Sequence, residues 1–142
     1  MRFRRSLWAL IAIFLVIQLL PANRSNPPVE SEIPAPPRVK NILQRACYDC
    51  HSNETRWPWY SAIAPMSWLV IYDVDEAREH MNFSTWNQYD DDEQRDHLEE
   101  AWEEVEDGNM PLWYYLPLHP DARLASEARE TLHSWIRTQT ED

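Results

Sequence analysis

The sequence predicts an all-α fold, on three observations. Apolar residues recur at i, i+3, i+4 and i+7 in several separate segments, the spacing of one helical face. No segment alternates apolar and polar residues with the period of a strand. The 142 residues include one glycine, too few for tight β-hairpins, a dinucleotide fingerprint or a phosphate-binding loop. The length suits one domain, and a hydrophobic content of 44% is enough for its core.

The first element is N-terminal. Met1 to Arg5 is basic, and Leu7 to Leu20 is apolar except for Gln18. This is the pattern of a signal peptide or signal anchor. At ~1.5 Å per residue the apolar run spans only about 21 Å, short of a bilayer core. Leu20-Pro21-Ala22-Asn23 lacks a small-x-small cleavage site, so residues 1–22 are expected to form an uncleaved transmembrane or signal-anchor helix. A cleaved signal peptide is the alternative. The basic end should stay in the cytoplasm and the rest be exported. Six of the eleven prolines fall in residues 21–37. Residues 23–37 are expected to be a stiff extended linker, reaching up to about 45 Å and leaving the domain free to swing.

Residues 38–142 form the expected helical domain of four or five helices. Arg38 to His51 reads as one helix, with Val39, Ile42, Leu43 and Ala46 on its apolar face. Pro65 suits the first turn of a helix running to about Met81. Ser84 is placed to cap a short helix holding Trp86. Asp90 to Asp107 is the clearest helix, with an acidic start and with Leu98, Ala101, Trp102 and Val105 on one face. Gly108 stands where a helix C′ residue belongs. A last helix runs from about Ala125 to Arg137. Asp90-Asp91-Asp92-Glu93 lacks the alternation and glycine of a calcium loop and reads as a solvated helix start.

Charge is unevenly placed. Four arginines are the only charged residues among the first 24, so the remainder holds nine basic and 24 acidic residues, net −15. Such a surface argues against nucleic acid as a partner.

Both cysteines lie in Cys47-Tyr48-Asp49-Cys50-His51. C-x-x-C-H is the haem-attachment signature: two thiols can add to the two vinyl groups of a haem, and the adjacent imidazole can ligate its iron. On a helix the three positions share a face. A thioredoxin-like motif would need a βαβ setting, and a zinc site would need two further ligands. A reducible disulfide or another metal site is what remains beside haem. For the sixth position on iron, Met110 in Gly108-Asn109-Met110-Pro111 is the leading candidate, on a loop that Pro111 stiffens. A Met/His pair raises the reduction potential. Met110 as a packing residue, or His80, Met81, His97, His119, His133 or Met66 as ligand, are the alternatives, His119 first among them.

Several stretches carry a resemblance: Asn26-Pro27-Pro28-Val29, Cys47 to Trp59, Tyr60 to Pro65, Asn82 to Trp86, Gly108 to Pro111, His119-Pro120 and Leu132 to Ile136. Together they resemble membrane-anchored c-type cytochromes of the haem-binding-domain family, related to small class I cytochromes c. The resemblance implies a cytochrome c-like domain with one covalent haem c on Cys47 and Cys50, and iron held by His51 and Met110. Two departures stand out: Ala77 where similar proteins often have Gly, and Ala125 where a capping Ser is usual. Ser126 is placed to take over that cap. If the source is bacterial, as the family suggests, the triplets at Asn23, Asn53 and Asn82 mean nothing for glycosylation.

The expected function is electron transfer, not enzymatic catalysis, by a domain in the periplasm on a single-pass inner-membrane anchor. Its partners would be an oxidase or another cytochrome. A haem-based sensor with a labile sixth ligand is the alternative. The tryptophans at 57, 59, 68, 86, 102, 113 and 135 are expected to pack around the cofactor. Trp57 or Trp59, and Arg56 or Arg78, are candidates to meet a propionate.

Overall fold

A computed structural model describes residues 2–141. Met1, the first residue of the basic N-terminal run, and Asp142 lie outside the described residues. Among the described residues there are six α-helices and no strand. They are α1 (Arg2–Ile17), α2 (Pro37–Ala46), α3 (Tyr48–His51), α4 (Met66–His80), α5 (Asp91–Glu106) and α6 (Ser126–Thr140). Three 3₁₀ turns, Trp59–Ala62, Phe83–Gln88 and Pro120–Ala122, complete the set. Helix α5 packs on α6, α3 on α4, and α2 on both α3 and α6. The core between them holds Leu43, Tyr48, Phe83, Trp86, Leu98, Leu132, Trp135 and Ile136.

The all-α expectation is met, with three local corrections. Residues 38–51 are not one helix. Cys47 breaks it, at φ −124° and ψ −36°. The break lets Tyr48 stack on Phe83, 5.3 Å between ring centroids, inside the core. Ser84 is not the cap of the turn holding Trp86. Asn82 is, its side-chain oxygen accepting from the Ser84 amide at 2.9 Å. The Ser84 hydroxyl instead accepts from the Asn53 amide at 2.9 Å. At α6 neither Ala125 nor Ser126 supplies a side-chain cap, and the first turn is closed by the Arg129 amide on the Ala125 carbonyl.

Helix α5 starts as its acidic residues require. Asp90 accepts from the Asp92 and Glu93 amides, and Glu93 accepts from the Asp90 amide, a complete capping box.

The proline-rich segment is not a free tether. Ile33 is buried in the core. The Glu30 and Ser31 amides donate to the Ser84 carbonyl at 2.9 and 3.1 Å. Asn53 Nδ2 donates to the Pro28 carbonyl, and Asn26 Nδ2 to the Thr55 carbonyl, each at 2.9 Å. Arg78 reaches the Ser25 carbonyl and Asn26 Oδ1 from the domain side. The prolines hold the segment extended, and the polar groups between them find partners on the domain.

The N-terminal segment does form a helix, but α1 has 16 residues and gives way to a turn at Gln18. No helix among the described residues is long and apolar enough to cross a membrane, so the expected transmembrane span is not supported. The helix ends before its apolar run does, which leaves Leu19 and Leu20 outside it.

Candidate haem site

The break at Cys47 sets the site. Its carbonyl accepts from the Cys50 amide at 3.1 Å and the His51 amide at 2.9 Å, closing the single turn of α3. Tyr48 turns into the core. Cys47, Cys50 and His51 line a cavity of about 720 Å³, within the roughly 300–1,000 Å³ of small-molecule and cofactor sites. Leu43, Phe83, Leu98, Leu132 and Ile136 give it an apolar interior.

His51 is oriented from behind. Its Nδ1 lies 3.1 Å from the Met81 carbonyl, just past the end of α4. Nδ1–H donates there, which fixes the tautomer and leaves the Nε2 lone pair for a metal. Burial lowers the affinity of the imidazole for a proton, against the raising effect of the Met81 and Ala77 carbonyls, and the ring is held neutral. Both cysteines are free thiols. Burial, then the neighbouring Cys50, pushes Cys47 up to about 12. Burial, then Asp73 and Asp49, pushes Cys50 up to about 12. In this closed fold both are thiols, not thiolates, at neutral pH.

Met110 also lines the cavity. Helix α5 ends at Glu106, and Gly108 turns the chain at φ +78°. The Asn109 and Met110 amides then donate to the Glu104 carbonyl at 2.9 and 3.0 Å, which fixes the loop. Among the alternatives, His80, Met81 and His97 share the cavity, whereas Met66, His119 and His133 do not line it. His119 Nε2 lies 2.8 Å from the Tyr60 hydroxyl, and its ring stacks on Tyr115 at 3.9 Å. His133 stacks on Trp102 at 4.2 Å.

Most of the other residues expected at the cofactor do not line this cavity. Of the tryptophans, only Trp135 lines the cavity. Trp59 and Trp113 are 73% and 78% exposed. Trp57 Nε1 donates to Asn26 Oδ1 at 3.2 Å. Arg56 pairs with Asp49, and Arg78 donates to the Ser52 carbonyl at 2.8 Å and to Thr55 Oγ1 at 2.9 Å. These groups are occupied in holding the loop after α3. Sequence reasoning missed the polar network under that loop: Asn82 Nδ2 donates to Asn53 Oδ1, and Ser52 Oγ to the Tyr48 carbonyl. Its only signal was a run of small polar residues in Ser52-Asn53 and Asn82-Phe83-Ser84.

The donor set fits a haem: two adjacent thiols, an imidazole with a fixed tautomer and an apolar cavity. No group of three or more His, Cys, Asp or Glu among the described residues is placed to hold a bare metal ion. No curated protein and no solved structure matches the chain. The family model described as haem-binding domain matches residues 12–138, from the last turns of α1 to the last turn of α6. The chain therefore belongs to the haem-binding-domain family.

Proposed function

We propose that this chain is a single-haem c-type cytochrome, of the class I kind, that transfers electrons at the outer face of a bacterial inner membrane. Cys47 and Cys50 would each form a thioether to the haem, and His51 and Met110 would be its axial ligands. When bound, the group supplies one-electron exchange. The observation that carries the reading is His51, with its Nδ1 committed to the Met81 carbonyl, in a cavity lined by both thiols.

The residues divide the remaining work. Met81 keeps the imidazole ring in one orientation. The apolar wall of Leu98, Leu132 and Ile136 excludes water. The Gly108 turn and the Glu104 carbonyl hold Met110 in place. Exposed Glu76, Glu100, Glu103 and Glu104 stand at the cavity. They favour a redox partner with a basic surface, such as an oxidase or another cytochrome, and an association that weakens with salt. An exposed apolar α1 behind arginines supports attachment to the membrane.

Pyridine haemochrome analysis of the purified protein should give a c-type spectrum with one haem per chain, and its absence would overturn the assignment. Met110→Ala should abolish the long-wavelength Met–iron band and open the reduced protein to carbon monoxide. Rapid carbon monoxide binding by the unaltered protein would instead argue for a labile sixth ligand and a sensor.

A further inference from the structure

In a chain with 26% charged residues, residues 57–72 contain none, and residues 108–120 contain only His119 as a titratable side chain other than tyrosine. The fold brings these two segments together. Tyr60 meets His119 at 2.8 Å, and Met66, Leu69, Tyr114 and Leu118 line one shared groove. Their apolar side chains face outward: Trp59, Ile63, Met66, Trp113 and Leu118 are all exposed. The carboxylates beneath, Asp49 and Asp73, are engaged by the hydroxyls of Tyr115 and Tyr114. A contiguous exposed apolar patch of this kind marks an interaction surface.

The end of α1 identifies the occupant. The Ala64 amide donates to Gln18 Oε1 at 2.9 Å, and Gln18 Nε2 donates to the Ala64 carbonyl at 3.1 Å. Ala64 lies between Ile63 and Met66 of the patch. The apolar helix thus leaves the domain at the patch, with Leu7, Trp8, Leu10 and Phe14 exposed. Any bilayer that takes up α1 must pass its surface beside Ile63 and Met66. The patch also has the composition of a membrane–water interface, where Trp and Tyr are favoured, and the two segments that form it carry no Asp, Glu, Lys or Arg.

We propose that this patch is a lipid-docking surface, which seats the domain on the bilayer beside α1 instead of holding it away on a tether. The proposal rests on the membrane reading above. Seating holds whether α1 crosses the bilayer or lies in its interface. It also fixes the height of the haem cavity, because the Met110 loop opens the second segment of the patch.

The test uses the haem-loaded full chain in vesicles of phosphatidylethanolamine and phosphatidylglycerol, doped with a phospholipid carrying a photoactivatable diazirine on its acyl chain. Adducts are mapped by peptide mass spectrometry. The expected result is adducts on α1 and also on Trp59, Ile63, Met66 and Trp113. Gln18→Ala should lower the patch adducts severalfold and leave those on α1 unchanged. Adducts confined to α1 would overturn the seating and leave membrane attachment intact. Adducts on neither would overturn the membrane reading, and the seating with it.

Discussion

His119 is a histidine whose environment, not its sequence neighbours, decides its role. Its ring stacks on Tyr115, and in the neutral Nδ1-protonated tautomer its Nε2 accepts from the Tyr60 hydroxyl. Burial lowers its proton affinity, with Asp49 and Asp121 pulling the other way and Arg56 adding to the fall. The unfolded chain therefore takes up a proton near the ordinary 6.5 before the folded chain does. The stability this group contributes is full above that value and is lost as pH falls through the lower folded one. In thermal melts of the haem-loaded protein, the fall in Tm between about pH 7.5 and about pH 5.5 should be shallower in His119→Gln. Equal slopes would remove His119 from the account. That Cys47, Cys50 and His51 face one cavity was legible because their spacing is local. Met81, which orients His51 from thirty positions away, was not, because its place depends on where α4 ends in space. The tryptophans misled for the same reason: aromatic side chains read as core, while Trp59 and Trp113 lie on an outward face.

At the scale of elements, the end of α5 links stability to the site. Gly108 sits at φ +78°, and a Cβ there would meet nothing within 4 Å. The cost of a side chain is thus backbone strain alone, about 1–2 kcal/mol for Ala in the left-handed region. Gly108→Ala should lower stability by that amount in denaturant titrations and, under the proposed Met110 ligation, weaken the Met–iron band, since the same turn places Met110 at the cavity. Gly108→Asn should do less of both, because Asn tolerates that conformation. A full-strength band in Gly108→Ala would show that Met110 is held by its side-chain contacts and not by the turn. Both ends of α5 were legible, the acidic start as suited to the positive end of a helix and the glycine as a stop, since end signals are written in adjacent residues. The break between α2 and α3 was not. The apolar face continues through Ala46, and the break accompanies the stacking of Tyr48 on Phe83, a contact distant in sequence.

At the scale of the whole molecule, the segment that composition marks as a spacer is part of the fold. Prolines forecast an extended chain correctly, but extension does not imply freedom. Ile33 enters the same cluster as Trp135 and Trp86, and the Pro28 carbonyl and the Glu30 and Ser31 amides before it bond to the Asn53–Ser84 network. That network in turn supports the loop following His51, through Ser84 on the Asn53 amide. Loosening the segment should therefore reach the haem site. Ile33→Ala removes buried methyl groups from a site only 3% exposed, and should cost about 2–5 kcal/mol in denaturant titrations of the haem-loaded chain. Residues 23–37 should resist limited proteolysis in the parent and become cleavable in the variant. A loss of about 0.5 kcal/mol or less, the range of an ordinary surface substitution, would restore the free tether. A docked segment has a further consequence for the molecule. Gln18 at the end of α1 is bonded to Ala64, and residues 25–33 are laid along the domain, so helix and haem site are joined by contacts at both ends of a short connection. The N-terminal helix and the haem-binding domain would then be coupled through these contacts.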